Sequence, residues 1–275
     1  MAYDAKAELK RVRDYYSGDL LQKRFSAIIS GGIGSGKTFL CRTARFPVHI
    51  DSFDPGGTKC LEPWIRKGDI IADTQWEDED PYNPTVYDEW TKATEIRLNI
   101  GYYDQFGTYV LDGLSTFGDA VMNSQLKSQN REGTAPMHRR DYNPQKTMIV
   151  NRIKRLMGLT CDFLLMSHLR ESEDTIGTDK EGMPIKTEKY RISITGNAVL
   201  TVPLQFDEIY VMLGKSGSPG SPVKRDMLID AQGKYIARSR LKKDGKLSEI
   251  EKPDIKALLK KIGMNWEDKP KLSFE

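Results

Sequence analysis

Eight consecutive residues, Gly31-Gly32-Ile33-Gly34-Ser35-Gly36-Lys37-Thr38, restrict this chain more than any other feature. They satisfy the pattern G-x-x-x-x-G-K-[ST] and stand between an apolar run at 24–30 and a segment at 37–45 with helical character. An apolar run that stops at glycines is how a buried strand feeds a loop. Four glycines in the first six positions let the backbone take positive dihedrals and turn successive N–H groups toward one point. That makes an anion-binding nest at a helix N-terminus. Lys37 then reaches the β- and γ-phosphates of a nucleoside triphosphate, Thr38 offers a hydroxyl to Mg²⁺, and Phe39 continues the same helical turn. ATP with magnesium is the ligand this pattern predicts.

Such a loop needs an aspartate at the end of a neighbouring buried strand, and residues 108–112 (Thr-Tyr-Val-Leu-Asp) supply Asp112 for the magnesium shell. Further strands are expected at 48–51 and 163–166, with helices at 86–99 and from Asn143-Pro144 through Met157. Helices alternating with short apolar strands specify an α/β fold, a mainly parallel sheet covered on both faces. Residues 58–84 read as an irregular inserted segment. Beyond Asp207, strands at 209–213, 223–229 and 234–241 extend the sheet in antiparallel fashion, the last two joined by a hairpin at Asp230-Ala-Gln-Gly233. Pro253-Asp254 opens a closing helix that ends at Gly263. The expected organisation is an amphipathic helical extension at 1–18, an ATPase domain at 19–245 and a helical tail at 246–275. The helix at 5–16 either docks Leu9, Val12 and Tyr16 on the core or serves as a nucleic-acid arm.

Composition narrows the function classes. The 42 basic and 39 acidic residues leave a net charge of +3, so nucleic-acid contact has to be local. Cys41, Cys60 and Cys161 lack the spacing of a zinc site or a disulfide framework, which points to a reducing, cytoplasmic setting. No apolar run approaches membrane-spanning length, so no membrane partner is expected.

The phosphate loop and the Asp112 strand together resemble the RecA-like P-loop ATPases of bacteriophages. The resemblance is to the Sak4-like single-strand annealing and recombination group, or AAA-type phage nucleotide-binding proteins. It spans residues 25–241 and includes Val48-His-Ile-Asp-Ser-Phe-Asp-Pro55, Met166-Ser-His-Leu169 and the segment 202–210. The resemblance implies a RecA-like core, ATP and Mg²⁺, and assembly as a ring or filament of identical subunits on single-stranded DNA. Host-cell cytoplasm is the implied setting, with a single-strand-binding protein as a further partner. In such proteins a glutamate after the second strand polarises the attacking water; here Phe53 stands at that place between Asp51 and Asp54. Either aspartate orients water, or Asp51 instead contacts a ribose or caps a turn, and hydrolysis is expected to be slow. Glu77 is a further acidic candidate.

His168 either senses the γ-phosphate or is a surface-facing polar group. The polar stretch 170–186, with Lys180, Lys186, Lys189 and Arg191 in and beyond it, resembles a DNA-binding loop. A second candidate is 123–146, which holds Lys127, Arg131, His138, Arg139, Arg140 and Tyr142. Lys215, Lys224, Arg225, Arg238, Arg240 and Lys242 crowd the late strands, where basic residues either reach a neighbouring subunit's nucleotide or guard an exposed strand; Arg238 and Arg240 share a face. Two functions remain open: a DNA-dependent ATPase, and a nucleotide-gated assembly or loading factor that hydrolyses little. A nucleotide kinase is disfavoured because the late strands do not resemble a kinase lid.

Overall fold

A computed structural model describes residues 4–18, 24–137, 139–178, 180–196, 198–215, 223–242 and 245–274. The strands are β1 (Ser26–Gly31), β2 (Val48–Ser52), β3 (Ile70–Asp73), β4 (Thr108–Asp112), β5 (Asp162–Thr178), β6 (Pro184–Ile192), β7 (Glu208–Lys215), β8 (Lys224–Leu228), β9 (Arg238–Ser239) and β10 (Ile250–Glu251). The helices are α1 (Ala5–Gly18), α2 (Lys37–Leu40), α3 (Glu62–Arg66), α4 (Val86–Asn99), α5 (Leu114–Lys127), α6 (Tyr142–Leu156), α7 (Ala198–Thr201) and α8 (Ile255–Ile262).

One sheet organises them, in the order β10-β8-β7-β1-β5-β4-β2-β3, with β6 paired to β5 and β9 to β7. The run from β7 to β3 is parallel throughout, and β8, β9 and β10 are antiparallel additions. Side chains along a strand alternate between faces, so the apolar runs fill two cores. Ile28, Leu111 and Leu165 pack with Trp90, Phe117 and Ile153 from α4, α5 and α6. Ala27, Ile29, Val110 and Leu164 pack on the opposite face with Leu40 of α2 and Leu258 and Leu259 of α8. This is the α/β arrangement expected, a mainly parallel sheet with helices on both faces and antiparallel strands beyond. No helix among the described residues is long and apolar enough to cross a membrane.

Several elements differ from the expectation. The helix after the phosphate loop is only one turn long and passes into a 3₁₀ turn at Cys41–Thr43, and the backbone is already extended at Ala44 (φ −76°, ψ 168°). Residues 58–84 are not a structureless insertion: they hold a 3₁₀ turn at Gly57–Leu61, α3 and the parallel edge strand β3, whose Ile70 is buried. The stretch 170–186 is no loop; β5 runs on past the sheet and folds back against β6 as an antiparallel hairpin. Residues 123–127 and 142–146 lie in α5 and α6, so only the segment between those helices connects them. The 223–229 and 234–241 segments do not form a hairpin with one another. β8 and β9 pair instead with successive stretches of the same edge of β7, and the expected turn survives only as a bridge between Gln232 and Tyr235. Leu9, Val12 and Tyr16 of α1 are exposed rather than docked.

Candidate functional site

Strand register builds the site. Gly31 ends β1 opposite His168 of β5, and Met166 of β5 lies opposite Asp112 of β4, so the phosphate loop, His168 and Asp112 emerge at the same edge of three adjacent strands. Open α/β sheets place their ligands at this carboxyl edge. Gly36 takes φ +94°, a conformation that L side chains avoid, and Gly34 takes φ +73°. A side chain at Gly31 would meet Ser35 Oγ at 2.5 Å and the Met212 carbonyl at 2.9 Å. Gly32 has open space around it, and Ile33 at the loop tip is 95% exposed.

The loop borders a cavity of about 450 Å³ that Lys37, Thr38, Phe39, Asp54, His168 and Arg225 help to line. Lys37 Nζ donates to the carbonyls of Gly31 (3.1 Å) and Gly32 (3.0 Å) and stands 3.4 Å from His168 Nδ1. Burial lowers the Lys37 pKa, while Asp112 and Asp54 pull it back up. Thr38 Oγ1 donates to Asp112 Oδ2 at 2.8 Å. Burial pushes the Asp112 carboxyl up to about 6, the Asp54 and Glu77 charges add to it, and the Thr38 hydrogen bond and Lys37 oppose it. A buried carboxylate short of positive charge beside a hydroxyl oxygen is a donor set that fits a hard divalent cation.

Asp54 faces the cavity, with its Oδ1 accepting from Thr116 Oγ1 at 2.6 Å and its Oδ2 3.3 Å from His168 Nε2. His168 therefore bridges Lys37 and Asp54. Asp51 does not join them. Its fully buried carboxylate accepts from Tyr109 OH (2.7 Å), Trp90 Nε1 (2.8 Å), Arg97 (3.1 Å) and Trp76 Nε1 (3.3 Å), with His49 Nε2 at 2.9 Å. The catalytic role considered for Asp51 is corrected here: a water would have to displace one of these donors, and the ribose and turn-cap roles fail for the same reason. His49, Asp51 and Asp73 have the spacing of a metal site, but Arg97 already bridges the two aspartates. Phe53 is buried against Trp90 and Phe117. Glu77 is fixed nearby, accepting from Ser52 Oγ (2.6 Å) and the Gly56 amide (2.8 Å), where it fastens the turn that carries Asp54.

Arg225, one of the basic groups crowded on the late strands, lines this cavity of its own chain; nothing in its local sequence marks it out from the others. Arg238 instead donates to the carbonyls of Pro203 and Phe206, and Arg240 lies 3.8 Å from Asp207. On the hairpin, Lys186 pairs with Glu173 and Arg191 with Asp174, while Lys180 is exposed at the turn. Between α5 and α6, Arg131 is bound to Asp141, and Arg139 and Arg140 are exposed. His138 and the Lys215 side chain lie outside the described residues.

Neither a family model nor a curated protein matches the sequence. Among solved structures, the chain is similar to a KaiC-like protein from the hyperthermophilic archaeon Pyrococcus horikoshii OT3, with 10% identity and a TM-score of 0.41 over 75% of this chain and 79% of that one. It is also similar to the flagellar accessory protein FlaH from Methanocaldococcus jannaschii, with 14% identity and a TM-score of 0.39 over 77% of this chain and 79% of that one. Likeness at this level carries nothing about activity, and the fold class stands on the strand order and loop geometry above.

Proposed function

We propose that this protein is a RecA-like P-loop ATPase that binds ATP with Mg²⁺ and assembles as a homo-oligomer on single-stranded DNA in phage recombination or annealing, with a single-strand-binding protein as a further partner. The observation that carries the nucleotide reading is the meeting of Lys37 and Thr38 on one cavity, with the buried Asp112 carboxylate 2.8 Å from the Thr38 hydroxyl. Magnesium, when bound, neutralises charge shared by the β- and γ-phosphates, and Thr38 and Asp112 are the residues that would hold it. Lys37 neutralises phosphate oxygens. Asp54 is the acid placed to accept a hydrogen bond from water, oriented by Thr116 and His168. The DNA reading draws on β5, which carries His168 beside Lys37 and continues directly into a hairpin of mixed charge that includes Lys180, Lys186, Lys189 and Arg191.

A second reading, a nucleotide-gated assembly factor with little turnover, is favoured by one observation: Asp51 is sequestered, and Asp54 has both oxygens engaged. ATP affinity and turnover, measured with and without single-stranded DNA, separate the two. The DNA-stimulated ATPase predicts turnover that rises with DNA, whereas tight binding without turnover selects the assembly factor. In either case Lys37→Ala should weaken ATP binding by roughly ten- to a hundredfold, the worth of a hydrogen bond to a charged group. Unchanged affinity in that variant overturns the site.

A further inference from the structure

Arg225 belongs to β8, an antiparallel addition to the sheet, and lies opposite Gly214 in the β7–β8 pairing. Its side chain crosses back over the phosphate loop: a Cβ on Gly36 would sit 2.7 Å from Arg225 Cδ and Nε. Arg225 Nε is buried without a hydrogen-bond partner. The side chain lines both the cavity described above and an adjoining lobe of about 140 Å³, which also touches Gly36, Phe39, Arg42 and Pro253. Its charge reaches the opposite wall: burial and Asp112 push the Cys60 thiol up, and Arg225 pulls it down.

We propose that Arg225 is a polyphosphate-binding residue acting within its own subunit, contacting the α- and β-phosphates at the nucleoside end of the site. This rests on the nucleotide reading above. The terminal-phosphate end is marked by Thr38, His168 and Asp54, whereas Arg225 presses on Gly36 on the side that opens into the Phe39 lobe. A guanidinium with an unengaged donor, held against Gly36 of the loop, offers charge-assisted bonds that stay unmade until an anion arrives. Gly36 is needed twice, for its positive φ and for the space the guanidinium stem occupies.

The test compares ATP and ADP affinities, each with Mg²⁺, for the full chain, Arg225→Ala and Arg225→Gln, alongside thermal melts of the ligand-free proteins. Both variants should weaken ATP and ADP by the same factor, roughly ten- to a hundredfold, with ligand-free melting unchanged. Loss for ATP alone would move the contact to the terminal phosphate and overturn the assignment, as would no loss at all. Adding excess Lys37→Ala protein, which keeps Arg225, must not restore Arg225→Ala; restoration means that the arginine acts on a neighbour. A wild-type chain that binds neither nucleotide, or a Lys37→Ala protein that binds both as wild type does, overturns the parent reading and this one with it. Retention of ATP and ADP by Arg225→Ala while Lys37→Ala loses them overturns this one alone.

Discussion

Asp51 and Asp54 sit close together in sequence and look interchangeable, but their surroundings give them different roles. Asp51 turns into the aromatic core, where burial alone would push its carboxyl up; the His49 charge and hydrogen bond, Arg97 and Trp90 bring it down to about 2. Asp54 turns toward the phosphate loop. Asp51→Ala should therefore lower stability by roughly 3–5 kcal/mol, since it strands buried partners, while leaving the ATP affinity of the folded protein unchanged. The pH dependence has a definite sign. A carboxyl depressed in the native state stabilises it above its unfolded pKa of about 3.9, and that contribution fades as pH falls toward 2. The stability gap between wild type and Asp51→Ala, read from denaturant melts, should thus narrow as pH falls below about 4. Nothing in Val48-His-Ile-Asp-Ser-Phe-Asp-Pro55 distinguishes the two aspartates, because their partners Trp90, Arg97 and Tyr109 come from elsewhere in the chain.

Among the elements, those with a strong period of their own were legible and those that lean on neighbours were not. α4 spans Val86–Asn99 as its apolar spacing predicts, and α8 has its Asp254 cap and its terminal Gly263 in the left-handed conformation. β3 was missed because a four-residue edge strand with one buried residue carries almost no alternation to read. The hairpin of β5 and β6 was missed because exposed strands need no apolar pattern: its tip is exposed, with Ile176, Met183 and Ile185 scattered among polar residues, and pairing alone defines it. If this hairpin grips single-stranded DNA as proposed, Lys180→Glu combined with Lys186→Glu should reduce DNA affinity. The slope of log affinity against log salt should become shallower by about 1.4, for two lost phosphate contacts. Binding measured across a salt series checks this, with ATP affinity in the absence of DNA as the unchanged control.

Over the whole molecule, the closing segment is part of the core rather than an appendage. α8 buries Ile255, Leu258, Leu259 and Ile262 beneath the sheet face that also holds Leu40 and Ile29, and β10 completes one edge. Four such side chains at about 1.5–3 kcal/mol each amount to roughly 6–12 kcal/mol, comparable to the whole stability of a domain at roughly 5–15 kcal/mol. A chain ending at residue 245 should therefore lose its cooperative thermal transition, whereas removing residues 1–18, in which Leu9, Val12, Tyr15 and Tyr16 are exposed, should leave the transition in place. By itself the sequence determined the strand–loop–helix around Gly31 to Thr38, the position of Asp112 at the end of a buried strand, and the alternation that makes a mainly parallel sheet. Each of these is written in local period and spacing, which hydrophobicity and backbone sterics read directly. Only the tertiary structure decided which aspartate faces the cavity, that His168 bridges Lys37 and Asp54, and that Arg225 folds back over Gly36. Those contacts join strands far apart in the chain, and they exist only once hydrogen-bond register has set the carboxyl ends of β1, β4 and β5 side by side.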